Sequence, residues 1–437
     1  MIKKFIAKVF KRPKTHSSVT ATVIHAGTHQ IDKSHISQCA LSVIKQLQES
    51  GHQAYIVGGA VRDLLLQQTP KDFDVATSAT PEQVKKLIRR SRIIGRRFQI
   101  VHVQCGQEIV EVSTFRAKAD LNSQHQQADE HGRLTRDNVF GSLEEDAERR
   151  DFTINALFYD PQKNIVLDYF NGVKHLKHKH ITMIGDPTQR YREDPVRMLR
   201  AARFCAKLNF TLDPSCKAPI SELSELLLNV PESRLFDELL KILLSGHATK
   251  SLEQLSSLNL LNYLIPSLDK SLLNEKNKLF VQQALSNTDL RIKEDMGVSP
   301  SFLMATLLWP SLHERWQNYL NKGEKNLPAL FAATQDVLTT QDEVLMIPKR
   351  FEGTMKEIWG LQPRFEQRSG QRPFRLLQHP RFRAGYDFLV LRSQSGEVDA
   401  SLAQWWTAFQ QAPTEGREAL LIKSDKPHSR QRRKPKA

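Results

Sequence analysis

A chain of 437 residues exceeds one ordinary domain, and the length prior points to two or three. Hydrophobic residues make up 40% and charged residues 25%, the balance of a globular protein with a real core, and no apolar run approaches the roughly 20 residues that cross a bilayer or builds a secretory h-region. The four cysteines, Cys39, Cys105, Cys205 and Cys216, are scattered without CxxC spacing, which argues against a structural zinc site or a disulfide framework and for a reducing, cytoplasmic setting.

The formal net charge of +15 sits mostly at the ends: residues 1–14 carry six basic side chains and no acid, and residues 423–437 carry seven against Asp425, so the two ends supply +12. Such tails bury too little apolar surface to fold alone, and their usual partner is a polyanion. In the first tail Ile2, Phe5, Ile6, Val9 and Phe10 also fall at helical spacing among lysines, so a basic amphipathic helix on a membrane surface is the alternative to a disordered arm. Residues 15–34 read as a polar linker, and Ile36, Leu41, Ile44 and Leu47 mark an amphipathic helix over about 36–50.

Ala54–Val57 reads as a strand running into Gly58-Gly59, with a helix over Val61–Leu66 and a second strand over Phe73–Ala76. Thr80, Pro81 and Gln83 supply an N-cap, a first-turn proline and a capping-box partner. Ile93–Cys105 and Glu108–Thr114 are two predicted strands joined at Cys105-Gly106, followed by a polar loop over 117–138. Ser142 and Glu145 make another capping box, and strands follow at Leu157–Tyr159 and Ile165–Tyr169. Beyond about residue 190 helical patterns dominate, so the fold class is α+β: a small-sheet head followed by an all-helical body.

The chemistry concentrates in Gly58-Gly59-Ala60-Val61-Arg62-Asp63 and, after eight intervening residues, Asp72-Phe73-Asp74. On a strand, residues i and i+2 share a face, so Asp72 and Asp74 set two carboxylates side by side, a hard-oxygen pair suited to Mg²⁺ or its substitute Mn²⁺. Two glycines between a strand and a helix let the backbone approach a triphosphate, whose charge Arg62 can neutralise. Glu111, in the apolar strand Ile109-Val110-Glu111-Val112, and Asp151, behind Arg149-Arg150, are alternative third carboxylates for activating a 3′-hydroxyl. Asp194 is expected to cap a helix that presents Arg197, Arg200 and Arg203 as a basic stripe, and a carboxylate beside an arginine fork can pair with a base edge. Phe374, Phe382, Tyr386, Trp405 and Trp406 lie among arginines; core packing is the reading preferred over base stacking for the tryptophans.

Gly58-Gly59-x-Val61-Arg62-Asp63 with Asp72-x-Asp74, Arg149-Arg150-Asp151-Phe152-Thr153-Ile154-Asn155-Ala156, and Glu193-Asp194-x-x-Arg197 together resemble the class II nucleotidyltransferases, which include poly(A)-adding and CCA-adding enzymes. The resemblance implies a nucleotidyltransferase head with helical neck, body and tail. It implies metal at Asp72 and Asp74, with Glu111 or Asp151 completing the site. Gly58, Gly59, Arg62, Asp63, Lys71 and Arg150 would hold ATP, and Asp194 with Arg197 would read its base. Gly95-Arg96-Arg97-Phe98, Ile347-Pro348-Lys349-Arg350 and Arg372-Pro373-Phe374-Arg375 are similar to the poly(A)-adding branch. The expected divisions are a basic arm (1–35), head (36–170), neck (171–250), RNA-binding body and tail (251–422) and a disordered basic tail (423–437). The expected activity is Mg²⁺-dependent addition of AMP from ATP to RNA 3′ ends by a monomer, with RNA-decay or RNA-chaperone proteins as candidate partners. A CCA-adding enzyme, or a non-catalytic RNA-binding protein on a transferase scaffold, are the alternatives.

Overall fold

The computed structural model describes residues 20–95, 99–117 and 139–422, with the backbone of two further strands, Gln126–Ala128 and Leu134–Asp137. Both readings of the N-terminal arm, the Arg96-Arg97-Phe98 turn, most of the expected polar loop and the basic C-terminal tail lie outside the described residues. The chain folds as two units: the described residues up to Asp194 with Phe210–Pro219, and Pro195–Asn209 with the residues from Ile220 onward. This division differs from the expected ones at 170 and 250, because the helices Gly172–His178 and Pro187–Glu193 belong to the head.

The first unit is built on eight strands: β1 (Thr22–His25), β2 (Ala54–Val57), β3 (Asp74–Thr77), β4 (Ser91–Ile94), β5 (Ile100–Cys105), β6 (Glu108–Thr114), and, after the paired ribbon β7 (Gln126–Ala128) and β8 (Leu134–Asp137), β9 (Leu157–Asp160) and β10 (Ile165–Asp168). Their order is β1-β10-β9-β2-β3-β6-β5-β4. Only the pair β3 and β6 is parallel. Central β2, Ala-Tyr-Ile-Val, is buried along its whole length, as a strand covered on both faces must be. On one face Tyr55, Val57 and Ala76 pack with Phe115, Leu143, Ala147 and Phe158. The helix Gln38–Glu49 packs against β2 and β3, burying Ala40, Val43, Ile44 and Leu47; its Ser37 cap accepts from the Cys39 and Ala40 N–H groups. Both expected capping boxes, Thr80 with Gln83 and Ser142 with Glu145, are formed.

Several expectations fail for identifiable reasons. The expected linker contains β1, which pairs Thr22 with Asp168 at the edge of the sheet; an edge strand needs little apolar alternation, and Val23 stays exposed. Ile93–Cys105 is two antiparallel strands, not one, because the chain reverses at Gly95, whose φ of 90° is a conformation glycine adopts readily. The expected loop over 117–138 contains the β7–β8 ribbon. Cys39 and Cys105 form a disulfide across 66 residues of sequence, while Cys205 and Cys216 are free and buried. Their spacing hid this, since proximity arises from the helix Gln38–Glu49 packing near the end of β5. The thiol pattern therefore no longer argues for a reducing compartment.

Among its described residues the second unit contains helices and no strand. Trp309, Trp359 and Trp406 are fully buried, and each indole N–H finds an acceptor: Glu397 Oε2, the Ala305 carbonyl and the Phe365 carbonyl respectively. Trp405 donates to the Leu420 carbonyl and stacks on Phe409, and Phe382 and Tyr386 join the same core. These late aromatics pack helices, the reading preferred for the tryptophans from sequence. Among the described residues no helix is long and apolar enough to cross a membrane.

Candidate active site

Sheet register assembles the site. Val57, the last residue of β2, lies opposite Asp74, the first of β3; Asp74 lies opposite Glu111 on β6; Glu111 lies opposite His102 on β5. Register partners project to the same face, so one row crosses the sheet from the glycine turn through two carboxylates to a histidine. His102 Nε2 stands 3.3 Å from Glu111 Oε1. Asp72 sits in the bend before β3, two residues from Asp74, and is exposed; Phe73 between them is buried and anchors the pair.

Asp74 keeps exposed surface, yet its carboxyl is pushed up to about 6. Desolvation is the first cause and Glu111 the second; Arg150 pulls the other way and Asp72 adds a smaller push. Asp74 and Glu111, held opposite each other by register with Asp72 nearby, repel one another in an arrangement that a cation would relieve. Among the described residues no three His, Cys, Asp or Glu side chains converge as a ready-made metal cage.

The glycine turn explains why this row is accessible. Gly58 adopts φ 67° and ψ −127°, a region closed to side chains, and a Cβ there would stand 3.4 Å from Arg150 Nη1. The Arg150 guanidinium therefore lies against the turn. It donates to Asp146 Oδ2 at 3.2 and 3.0 Å and to the Asn155 carbonyl at 3.3 Å, and sits 5.0 Å over the Phe158 ring. Asp146 is buried and also accepts from the Arg116 N–H, so it is fixed before it fixes Arg150.

Arg62 proves to be buried rather than open to a phosphate. It donates to Asp63 Oδ1 at 2.8 Å and to Asn155 Oδ1 at 2.8 Å, and its Nη2 lies 3.4 Å from where a Gly59 Cβ would stand. The Asn155 amide donates in turn to Asp151 Oδ1 at 3.2 Å, which also accepts from the Phe152 N–H at 2.7 Å. The chain Asp63–Arg62–Asn155–Asp151 thus ties the glycine turn to the Arg-Arg-Asp loop. Behind that loop, Arg190 donates to the Arg149 and Arg150 carbonyls at 2.8 and 2.6 Å and pairs with Glu193. Asn155, Asp146 and Arg190 carry positioning roles that the sequence reading did not assign. Asp146 had a local signal in its i,i+4 spacing to Arg150, Asn155 lay four residues past Asp151 within the quoted motif, and the Arg190 contacts to the loop had none.

Asp194 closes Pro187–Glu193, its N–H donating to the Arg190 carbonyl, and Pro195 precedes the helix Val196–Leu208. In that helix Arg197 and Arg200 are half-buried, Arg203 is bonded to buried Glu238 at 2.7 Å, and Arg200 and Arg203 lie over Phe204. The expected stripe is therefore partly committed to the core of the second unit. Lys71 is exposed beside Asp72.

Family models match three stretches: the poly(A) polymerase head domain over 54–182, the probable RNA and SrmB-binding site of polymerase A over 209–272, and the polymerase A arginine-rich C-terminus over 322–437. Poly(A) polymerase I of Salmonella typhi is 42% identical over 447 aligned positions, covering 99% of this chain and 96% of the relative. The CCA-adding enzyme of Bacillus subtilis is 41% identical over 211 positions, covering 48% of this chain and 51% of its own. A solved tRNA-processing enzyme has the same fold, with a TM-score of 0.60 at 23% identity, covering 86% of this chain and 98% of its own. With the glycine turn, the carboxylate row and the Arg-Arg-Asp loop on one head, and similarity running the full length, the chain belongs to the poly(A) polymerase I family of nucleotidyltransferases.

Proposed function

We propose that the enzyme adds AMP from ATP to RNA 3′ ends without a template, at the head site built around Asp72 and Asp74. The observation that carries this reading is the row from Val57, beside the glycine turn, through Asp74 to Glu111, with Arg150 lying over the turn. The triphosphate lies along Gly58 and Gly59, where no side chain blocks the backbone, and Arg150 neutralises part of its charge. Asp72 and Asp74 would hold Mg²⁺, which would supply charge compensation for the phosphates and lower the pKa of a bound hydroxyl. Glu111 is the third carboxylate we favour over Asp151, because it faces Asp74 and raises its pKa, whereas the Asp151 carboxylate is occupied by Phe152 and Asn155. Arg62, Asp63, Asn155, Asp146 and Arg190 position the loop and the turn. The 3′-hydroxyl attacks the α-phosphorus, the bond to the pyrophosphate oxygen breaks, and the hydroxyl proton passes to a neighbouring base or water. Positioning and charge neutralisation provide the rate. For base choice, Asp194 and Arg197 remain the proposed readers. Primer extension tests the reading: long ladders on a generic RNA with Mg²⁺ and ATP alone are expected. Addition that requires CTP and stops at a completed CCA end would overturn it in favour of tRNA repair.

The raised Asp74 pKa has a direct consequence for pH. In the metal-free protein the folded carboxyl holds its proton up to about 6, against 3.8 for an ordinary aspartate. This group's contribution to folding is therefore fully present below 3.8 and lost as pH rises through about 6. Cation binding runs the other way, since the proton must leave first. The Mg²⁺ concentration giving half-maximal activity should be flat near neutrality and climb up to about tenfold per pH unit in the acid range. A Mg²⁺ titration of AMP incorporation at several pH values checks this, and a flat requirement down to pH 5 would remove Asp74 from the metal site.

A further inference from the structure

The second unit contains a cavity of about 270 Å³ lined by Arg364, Arg372, Arg375 and His379, with Leu327 among the remaining residues of its wall and no acid. All three arginines are exposed, and among the described residues none of them makes an ion pair. Neighbouring arginines are treated differently: Arg381 pairs with Glu357, Arg383 with Asp387 and Arg392 with Glu397. Three guanidinium groups around one hollow repel one another, and an entering anion reverses that cost. His379 adds a directed donor, because its Nδ1 accepts from the Arg381 N–H at 3.1 Å and leaves Nε2 to carry the proton of the neutral ring. One helical turn from Leu327, Phe331 on the helix Asn326–Asp342 is 65% exposed. The other late aromatics of this unit are packed into its core. The Ile422 N–H donates to the Arg368 carbonyl, so the chain leaves the described residues near this region, and the sequence that follows is basic.

We propose that this cavity and Phe331 form an anchor for single-stranded RNA, in which the arginines take backbone phosphates and Phe331 stacks a base. The inference rests on RNA being the substrate and deepens that reading by placing a second RNA-holding point in the helical unit. Arginines that neutralise phosphates without reading bases, beside a stacking surface, give grip with little sequence preference. A free nucleotide offers the same phosphate chemistry, so the test must separate the two sources.

The full-length chain is titrated with a labelled oligo(A) of about 16 nucleotides across a salt series. In the triple variant Arg364→Gln, Arg372→Gln, Arg375→Gln, the slope of log affinity against log salt should fall by about 2, at about 0.7 per lost phosphate contact on a single strand. Lysine at the same three positions should restore the slope. Phe331→Ala should weaken binding about five- to a hundredfold while leaving the slope unchanged. AMP incorporation should then show a raised KM for primer and an unchanged kcat. Unchanged affinity and slope in both variants would overturn the anchor, as would a triple variant that loses binding of AMP alone. A wild-type chain that binds oligo(A) through these residues yet incorporates no AMP would leave the anchor standing and overturn the proposed activity instead.

Discussion

Asp74→Ala should lower AMP incorporation by about a thousandfold or more, while oligo(A) affinity stays within about twofold. The size follows from what Asp74 does alone: it is the residue that register places between the glycine turn and Glu111, and its carboxyl is the one whose proton is held most tightly by its neighbours. Removing it leaves Asp72, exposed in a bend, as the remaining carboxylate of the proposed pair. The fold should tolerate the change, because Asp74 begins its strand and the core residues Val75 and Ala76 are untouched. Glu111→Gln separates the two candidate third carboxylates. It removes the strongest charge acting on Asp74, so the acid limb of the Mg²⁺ requirement should move to lower pH, in addition to any loss of rate. Asp151→Asn should leave that limb where it is and act through the loop it holds. Single-turnover incorporation at saturating primer and a Mg²⁺ titration give both readouts. An Asp74→Ala chain within tenfold of the wild-type rate would move the metal site elsewhere.

How much of this was legible depended on the range of the interaction involved. The strand, glycine turn and helix start around Gly58-Gly59 and both capping boxes are local patterns, and each formed as expected because the physics that makes them is complete within about ten residues; the Asp-x-Asp pair was expected along one strand, but β3 starts only at Asp74. The tryptophans were also readable, since large aromatics in helices are most often core. Glu111 was a candidate because a charge in an apolar strand needs a partner, but the choice between it and Asp151 was not readable, because the parallel pairing of β3 and β6 that aligns residues 74 and 111 is announced by no local period. Arg190 reaches back 41 and 40 residues to two carbonyls, a contact that looks in the sequence like one more solvated arginine.

Arg62 shows the opposite failure. Its place after the diglycine suggested a phosphate ligand, whereas the structure buries it against Asp63 and Asn155, and holding the turn is the role we propose for it. Asp194 is a related case: an acid before proline reads as a helix start, and the sequence does not announce that its backbone N–H also closes the preceding helix on the Arg190 carbonyl. In each case residue chemistry was read correctly, and the missing information was which neighbour the fold supplies.

Arg150→Ala should carry the second-largest effect, a loss of about 10²- to 10³-fold in kcat/KM for ATP, the usual range for removing one preorganised charge donor from a phosphoryl-transfer site. The residue meets three constraints together: paired donation to Asp146, a bond to the Asn155 carbonyl, and a seat over Phe158 that brings Nη1 against the Gly58 turn. A lysine has the charge but neither the planar fork nor the stacking face, so Arg150→Lys should recover only a small part of the loss. Asp146→Asn offers the test of positioning. It keeps the guanidinium and removes the charge that aims it, so KM for ATP should rise more than kcat falls. Arg150 also lowers the Asp74 pKa, and Arg150→Ala should therefore shift the acid limb of the Mg²⁺ requirement to higher pH, opposite to Glu111→Gln. A purely structural role for Arg150 would lower thermal stability and leave that limb in place. Opposite displacements in the two variants would tie the turn, the loop and the carboxylate row into one electrostatic unit.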